Sequence, residues 1–172
     1  MLKRVCAFLF TIFTAALLLS YCSVNEDNRN NPDSSGRLIS TTDCKQFRNI
    51  YSDIVYPPDV SCIEYEYDGS DTLLITHINA GFNCCPGELT ADITIQNNII
   101  TIEEHELEAG CRCMCLYDIV YQITDLQPGT YIIKFIEPYI GENELLEVSI
   151  DLTSTIEDNY CITRTNYPWG PN

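Results

Sequence analysis

The sequence is poor in basic residues. Its 172 residues contain nine Lys and Arg against 25 Asp and Glu, which gives a formal net charge of −16 at pH 7. A surface of this charge repels phosphate groups, so we expect no nucleic-acid partner and no direct adsorption to anionic lipid headgroups. Attachment to a membrane would therefore require a covalent lipid or an apolar anchor.

The sequence motifs of common enzyme classes are also missing. There is no G-x-S-x-G, no H-E-x-x-H and no P-loop, and the only histidines are His77 and His105. These absences argue against hydrolases and transferases. We predict a non-enzymatic protein with no cofactor, and we interpret the two histidines as ordinary strand and loop residues.

What is present begins with an N-terminal export signal. Lys3 and Arg4 precede an apolar run from Val5 to Tyr21, which predicts a signal peptide over residues 1–21. The run is close to the shortest length that crosses a membrane, so an uncleaved anchor is an alternative. The small-residue cleavage site of an ordinary secretory signal is lacking.

Cys22 and the preceding Leu18-Leu19-Ser20-Tyr21 resemble the lipobox of bacterial lipoproteins. The resemblance implies that the Cys22 thiol is acylated, for example with palmitate, and that the signal is removed before this residue. Tyr21 departs from the small residue usual in the family, which leaves the cleavage open. Ser23 implies the outer membrane, and Glu26-Asp27 resembles the acidic tract of some surface-exposed lipoproteins.

Residues 22–40 separate the signal from the folded part of the chain. They are polar, rich in Asn, Asp, Ser and Gly, and show no apolar periodicity, which predicts a flexible tether. The remaining residues 41–172 have the length of a single domain.

Eight cysteines follow the tether, and we interpret all of them as disulfide candidates. An even number of cysteines in an exported chain predicts a disulfide framework, because thiols oxidise outside the cytoplasm. The eight residues are Cys44, Cys62, Cys84, Cys85, Cys111, Cys113, Cys115 and Cys161.

Spacing narrows the choice of disulfide partners. Cys84 and Cys85 are adjacent and point to opposite sides of an extended segment, so each requires its own partner. Cys111, Cys113 and Cys115 alternate with other residues, which predicts three thiols on one face of a strand. We predict that two of these three bind Cys84 and Cys85.

The remaining cysteines complete this predicted pairing. Cys161 would bond the third cysteine of the alternating group, and Cys44 would bond Cys62 across a short loop. Sequence alone leaves the other connectivities open.

A soft-metal site is the alternative interpretation of the central cysteines. Thiolates bind Cu⁺ and Zn²⁺, and ligands would be drawn from the adjacent and the alternating groups. The spacing differs from the C-x₂₋₄-C of zinc sites, and export favours oxidation. A metal-handling envelope protein is therefore our second hypothesis, with ligands from Cys84, Cys85, Cys111, Cys113 and Cys115.

Alternating apolar residues predict strands through the rest of the chain. Residues 63–67 and 72–78 form one predicted hairpin around Asp68-Gly69-Ser70-Asp71, and residues 91–96 and 99–104 form another around Asn97-Asn98. Later strands are predicted at residues 116–123, 131–136 and 145–152. We interpret the acidic residues at the end of the second hairpin as a solvated edge: Glu103, Glu104, Glu106 and Glu108.

The segment Leu126-Gln127-Pro128-Gly129-Thr130-Tyr131 resembles the corner between strands E and F of immunoglobulin-like and fibronectin-type domains. In those domains the leucine fills the core and the tyrosine anchors the corner. With about seven strands and no long helix, we predict an all-β, antiparallel immunoglobulin-like sandwich.

The order of the cysteine groups and the corner also resembles that of Bacteroidetes-like bacterial lipoproteins with a Cys-rich sandwich. This resemblance implies a location in the cell envelope and no particular activity. We therefore expect a lipid-anchored structural or binding module with a protein or glycan partner that the sequence does not identify. The only tryptophan, Trp169, lies in a C-terminal tail that we expect to cover a sheet edge or to be loose.

Overall fold

The computed structural model describes residues 34–45 and 56–165. The predicted signal peptide 1–21, the predicted lipidation site Cys22 and the tail with Trp169 lie outside the described residues. The described residues contain no helix, and therefore none that is long and apolar enough to cross a membrane. They form nine strands: β1 Ser35–Thr41, β2 Val60–Tyr67, β3 Leu73–Asn83, β4 Leu89–Gln96, β5 Ile99–Glu106, β6 Met114–Thr124, β7 Thr130–Ile136, β8 Glu147–Asp151 and β9 Glu157–Thr163.

The strands form two sheets. The first sheet has the order β1-β6-β3-β2-β9, and the second has the order β4-β5-β7-β8. All neighbouring strands are antiparallel except β5 and β7, which are parallel. This parallel pair departs from the predicted antiparallel arrangement, and it arises because β6 in the first sheet carries the chain back between them. The predicted all-β class and two-sheet architecture are confirmed.

The core lies between the two sheets. Strands of the first sheet alternate as the sequence predicts, so that Leu73, Ile75 and His77 of β3 are all fully buried. The ring of Tyr121 in the first sheet lies 5.8 Å from that of Phe135 in the second. Aromatic and branched aliphatic side chains from both inner faces therefore share one core.

The second predicted hairpin is confirmed in detail. Strands β4 and β5 pair from Leu89 with Glu106 to Gln96 with Ile99. Asn97 and Asn98 have φ angles of 51° and 62°. Two consecutive residues with positive φ form the tight turn that matches the twist of a hairpin, and asparagine tolerates this conformation better than other side chains.

Strand β1 lies within the segment that composition assigns to the tether. Its residues pair with β6, with Gly36 opposite Ile123, so the folded domain begins before residue 41. The strand is mostly polar because it is an edge strand with one exposed face, and only Gly36 and Leu38 are half-buried. A Cβ at Gly36 would lie 2.5 Å from Cγ2 of Ile93 in β4, so glycine allows β1 to contact the second sheet.

Strand β9 is the second strand that the sequence does not predict. It pairs with β2 along its whole length, with Cys62 opposite Cys161. Its first five residues are all exposed, so it lacks the apolar alternation by which strands are recognised. The count of nine strands in the described residues exceeds the predicted seven because of β1 and β9.

The corner between β6 and β7 connects the two sheets. Leu126 is fully buried, and the hydroxyl of Tyr131 donates a hydrogen bond to the carbonyl of Gln127 at 2.8 Å. These are the roles that the resemblance to immunoglobulin-like corners implies for both residues.

A bulge in β3 determines which residues of the strand face inward. The pairing with β6 shifts between His77 and Ala80, and Asn79 has a φ of 61°. Its amide side chain donates to the carbonyls of Pro57 and Val60, and its oxygen accepts from Nζ of Lys45 at 2.7 Å. Three otherwise separate segments thus converge on the bulge.

Replacing Gly36 by alanine tests whether β1 belongs to the folded domain. The added Cβ clashes with Ile93 and Ile123, and we expect the free energy of unfolding to fall by about 1–3 kcal/mol, the usual cost of overpacking. Chemical denaturation without reductant measures this change. The control Ser40→Ala alters an exposed residue of the same strand, and we expect a change below about 0.5 kcal/mol. Equal stability of both variants would show that the segment is a tether.

Candidate functional site

All eight cysteines of the described domain form disulfides. Two of these join the adjacent cysteines to the alternating group, as predicted from spacing. The four pairs are Cys44–Cys115, Cys62–Cys161, Cys84–Cys113 and Cys85–Cys111.

The other two predicted pairs are wrong. Cys161 bonds Cys62 because β9, which the sequence does not predict, places them directly opposite each other in the ladder. Cys44 bonds Cys115 because the chain after β1 continues along β6, where the amide of Lys45 donates to the carbonyl of Leu116. Both pairs depend on long-range strand pairing that local spacing does not reveal.

The alternating cysteines do not share one strand face. Strand β6 begins at Met114, so Cys115 is buried in the strand while Cys111 and Cys113 lie in the preceding loop. The prediction of three thiols on one strand is therefore wrong. The loop is held by its disulfides and by hydrogen bonds rather than by a sheet ladder.

Residues 84–88 and 107–113 form what we call the disulfide-braced end of the sandwich. The two segments pair through the backbone amides of Leu107, Glu108 and Gly110, which donate to carbonyls of the other segment. The Cys84–Cys113 and Cys85–Cys111 disulfides connect the same two segments. Covalent and hydrogen bonds together restrict this end of the molecule.

Asn83 connects the two segments of the disulfide-braced end through side-chain hydrogen bonds. Its side-chain oxygen accepts from the amides of Cys85 at 2.8 Å and Cys111 at 3.1 Å, while its NH₂ group donates to the Cys111 carbonyl at 2.6 Å. Its own amide donates to the carboxylate of Glu106. Asn83 is only 4% exposed, so these bonds are shielded from water and fix both loop segments relative to β3.

The surface of this end carries a prominent apolar side chain. Leu107 is 69% exposed, more than any other large apolar residue of the described chain, and Arg112 is exposed between two cysteines. An exposed leucine and an arginine on a rigid loop are side chains typical of a contact surface.

A second set of polar residues lies buried between the sheets. His77 Nδ1 lies 2.7 Å from Oε1 of Glu104, and its Nε2 lies 2.9 Å from Oγ of Ser61 and 3.7 Å from Oε1 of Glu137. Arg164 forms an ion pair with Glu137. We call these five residues the buried charge cluster. His77 is a strand residue of β3, as predicted, and it is fully buried. The interpretation of Glu104 as part of a solvated edge is wrong, because Glu104 is only 2% exposed.

The electrostatics of this cluster favour protonation of His77. Burial lowers the pKa of His77, but the nearby carboxylates of Glu104 and Glu137 raise it by more, so the pKa of His77 lies above its usual value of 6.5. With the imidazolium and Arg164 facing the two carboxylates, the buried charges cancel. The hydroxyl of Tyr121 also donates to Glu104 at 2.6 Å, while Oε2 of Glu104 accepts no hydrogen bond from the described residues.

The order Ser61, His77 and Glu104 has the connectivity of a serine-hydrolase triad, but its electrostatics differ. In such a triad a neutral imidazole accepts the serine proton. Here the second carboxylate, Glu137, favours the imidazolium, which cannot accept that proton. Ser61 and His77 are also completely buried, so a substrate cannot reach the hydroxyl in this conformation. The cluster acts as electrostatic support between the sheets.

Metal coordination by the same residues is also disfavoured. Ligand atoms of His77, Glu104 and Glu137 lie within 4.8 Å of one another, a spacing that suits a cation. The guanidinium of Arg164 beside Glu137 already supplies positive charge there, and the ring nitrogens of His77 have Glu104 and Ser61 as partners.

The other acidic residues of the predicted solvated edge differ in their surroundings. Glu103 and Glu108 are exposed as expected. Glu106 is half-buried and accepts a hydrogen bond from Tyr139, which raises the pKa of Tyr139 to about 12. The cluster of four carboxylates therefore separates into two surface groups and two structural ones.

The turn at Asp68 is held by its own carboxylate. Oδ1 of Asp68 accepts hydrogen bonds from the amides of Ser70, Asp71 and Thr72, which lower the pKa of Asp68 to about 2. This confirms the predicted turn between β2 and β3. His105, the other histidine, lies in β5 and not in a loop as predicted. It is partly exposed and lies 3.2 Å from a carboxylate oxygen of Asp92.

The outer face of the first sheet contains an open groove of about 450 Å³. Leu74, Thr76 and Val120 form part of its lining, together with four acidic residues: Glu64, Glu66, Glu157 and Asp158. Its charge disfavours anionic ligands, in agreement with the low content of basic residues.

Comparisons of the chain with protein-family models, with curated proteins and with solved structures found no match.

The buried charge cluster predicts a loss of stability at alkaline pH. Because the folded-state pKa of His77 is raised, its contribution is complete below the unfolded pKa of about 6.5 and is lost as pH rises through the folded pKa. We expect the free energy of unfolding to decrease from pH 6 to pH 9. This range lies below pH 10, above which ionisation of unfolded tyrosines adds a further loss.

Two histidine variants test which histidine causes this pH dependence of the stability. His77→Gln leaves two carboxylates facing one arginine, so we expect a loss of about 3 kcal/mol at pH 6 and a flatter pH profile. His105→Gln removes the partly exposed histidine and should retain the wild-type profile. A wild-type stability that stays constant from pH 6 to pH 9 would contradict protonation of His77.

Asn83→Ala tests the organisation of the disulfide-braced end. The variant leaves buried amide and carbonyl groups without their partners, and we expect a loss of about 2–3 kcal/mol with all disulfides intact. Denaturation without reductant measures the loss, and faster proteolysis within residues 107–113 should accompany it. Asn159→Ala, which alters an exposed asparagine of β9, is the control. Equal proteolysis of the two variants would contradict a role for Asn83.

Proposed function

We propose that the chain is a non-enzymatic, lipid-anchored protein of the bacterial cell envelope whose described domain is a structural or binding module. The observation that carries this proposal is the pairing of all eight cysteines of the described domain. Four disulfides in one small domain are typical of proteins that fold outside the reducing cytoplasm.

The proposed anchor is Cys22. It follows an apolar run of signal-peptide length and precedes a polar stretch, which is the layout of lipoproteins. Strand β1 begins at Ser35, so about a dozen residues separate the proposed lipid from the sandwich. That length supports attachment close to a membrane surface. The outer membrane is the proposed location because Ser23 follows the cysteine.

We further propose that the sandwich is a variant of the immunoglobulin-like fold. The buried Leu126 and the hydrogen bond from Tyr131 to Gln127 support this assignment. The parallel pair of β5 and β7 is the feature in which this domain would differ from the antiparallel sheets of that fold.

The proposed binding surface is the disulfide-braced end. Its loops are fixed by two disulfides and by Asn83, so little conformational entropy is lost when a partner binds. Leu107 offers apolar contact area, and Arg112 offers a charged hydrogen-bond donor. This combination favours a protein partner, since leucine side chains contribute little to contacts with the polar rings of glycans.

Intact mass of the protein from its native membrane fraction tests the anchor. We expect a mature chain that begins at Cys22, carries an acyl-sized mass increase and alkylates its other eight cysteines only after reduction. Cys22→Ser should abolish the acyl mass, because serine lacks the thiol on which the proposed acylation takes place.

Cys6→Ser is the matched control for this experiment, since Cys6 lies within the predicted signal and its loss should leave acylation unchanged. Retention of residues 1–21 without an acyl mass in the protein with Cys22 intact would instead identify an uncleaved anchor. Several thiols that alkylate without reduction would contradict the disulfide-stapled interpretation.

A further inference from the structure

We propose that the disulfide-braced end is a redox-gated metal site in which the sulfurs of Cys84, Cys85, Cys111 and Cys113 bind one thiophilic ion such as Zn²⁺ after reduction. The proposal goes beyond the anchored module, and its failure would leave that function untouched.

The first observation is that three sulfurs from two separate segments meet at one place, and that a fourth is bonded to one of them. The Sγ atoms of Cys84, Cys85 and Cys111 all lie within 4.8 Å of one another, and the sulfur of Cys113 is bonded to that of Cys84. In a tetrahedral zinc site with Zn–S bonds of about 2.3 Å, neighbouring sulfurs are about 3.8 Å apart. Three of the four sulfurs therefore already lie near the spacing of zinc ligands, and the sulfur of Cys113 is one S–S bond away from that of Cys84.

The second observation is a backbone framework that does not depend on the disulfides. The amides of Cys85 and Cys111 share the side-chain oxygen of Asn83, and the amide of Cys84 donates to the carbonyl of Cys113 at 3.1 Å. The Cα atoms of the bonded cysteines lie 5.6 and 5.5 Å apart. These hydrogen bonds hold the four residues near one another when the S–S bonds are broken.

Accessibility distinguishes these cysteines from the other two pairs. Both members of each disulfide at this end are exposed or half-exposed. In contrast, each of the other two disulfides has one buried member: Cys62 is fully buried and bonded to the exposed Cys161, and Cys115 is only 4% exposed and bonded to the half-exposed Cys44. Thiol–disulfide exchange requires access of the attacking thiolate to a sulfur, so a reductant should open the two disulfides of this end before the others. Cys115, which the sequence also offers as a metal ligand, is therefore not part of the proposed site.

An external dithiol is the reductant that opens the two disulfides. Two dithiols supply four electrons and four protons, break both S–S bonds and leave as two cyclic disulfides. The four protein thiols then bind one Zn²⁺ as thiolates and release four protons. Zinc binding therefore weakens at low pH, and it competes with reoxidation of the four sulfurs.

Cobalt(II) is the spectroscopic probe for this site, because tetrahedral thiolate coordination gives intense charge-transfer and visible bands. All proteins compared are full chains that carry Cys6→Ser and Cys22→Ser, so that the two cysteines before the described domain contribute no thiol. After anaerobic treatment with dithiothreitol and its removal, we expect one Co²⁺ to bind per chain and one Zn²⁺ to displace it. Far-UV circular dichroism recorded on the same sample reports whether the sandwich persists.

Two double variants locate the ligands. Cys85→Ser/Cys111→Ser removes two of the four sulfurs, and we expect Zn²⁺ affinity to fall by more than about 100-fold, since even changes outside the ligand set cost about 10–100-fold. Cys44→Ser/Cys115→Ser removes a core disulfide with its two sulfurs and should retain the cobalt spectrum and stoichiometry. Asn83→Ala keeps every sulfur but loosens the framework, and we expect about 10–100-fold weaker binding.

Three results would overturn the proposal. These are the absence of charge-transfer bands in the reduced protein, equal bands in the Cys85→Ser/Cys111→Ser variant, and binding that is unchanged in a denaturant that abolishes the β-sheet signal. The last result would show that metal binds to flexible thiols rather than to a site built by the fold.

Discussion

The two sheets are joined by an interaction between charges that water does not reach. His77 comes from the first sheet and Glu104 from the second, while Glu137 and Arg164 follow β7 and β9. Each of these charges would be costly alone in the core, and together they cancel. The charges meet only when β5 packs correctly against β3 and when the segments that follow β7 and β9 are in place. The cluster therefore favours one arrangement of the sheets over alternatives that would bury an unpaired charge.

The sequence predicts the parts of this fold that rest on local physics. Alternation in β2, β3, β5 and β6 marks half-buried strands, and Asn97-Asn98 marks a hairpin turn because asparagine tolerates positive φ. The same alternation also indicates two buried polar residues, which their polar character alone would place at the surface. His77 continues the inward series of Leu73 and Ile75, and Glu104 continues that of Ile100 and Ile102. Following position rather than polarity would have placed both side chains in the core.

The remaining features depend on contacts between distant parts of the chain. Strand β1 is polar and glycine-containing because it lies at an edge and approaches β4 closely, and β9 is exposed over most of its length. Neither strand has a local pattern, and the partners of Cys44 and Cys161 follow from where these strands pair. That Cys84 and Cys85 bond two members of the next cysteine group was predictable, because adjacent cysteines require separate partners, but spacing left open which members they bond.

The connectivity of the disulfides has a consequence for how the protein matures. Pairing each cysteine with its nearest successor would join Cys44 to Cys62, Cys84 to Cys85, Cys111 to Cys113 and Cys115 to Cys161, and the native protein contains none of these bonds. In a chain that emerges N-terminus first, Cys44 and Cys62 appear together well before Cys115 and Cys161, their native partners. An oxidase that joins thiols in the order of their appearance would form a non-native pair here, and thiol–disulfide exchange would be needed to convert it into the native pairs.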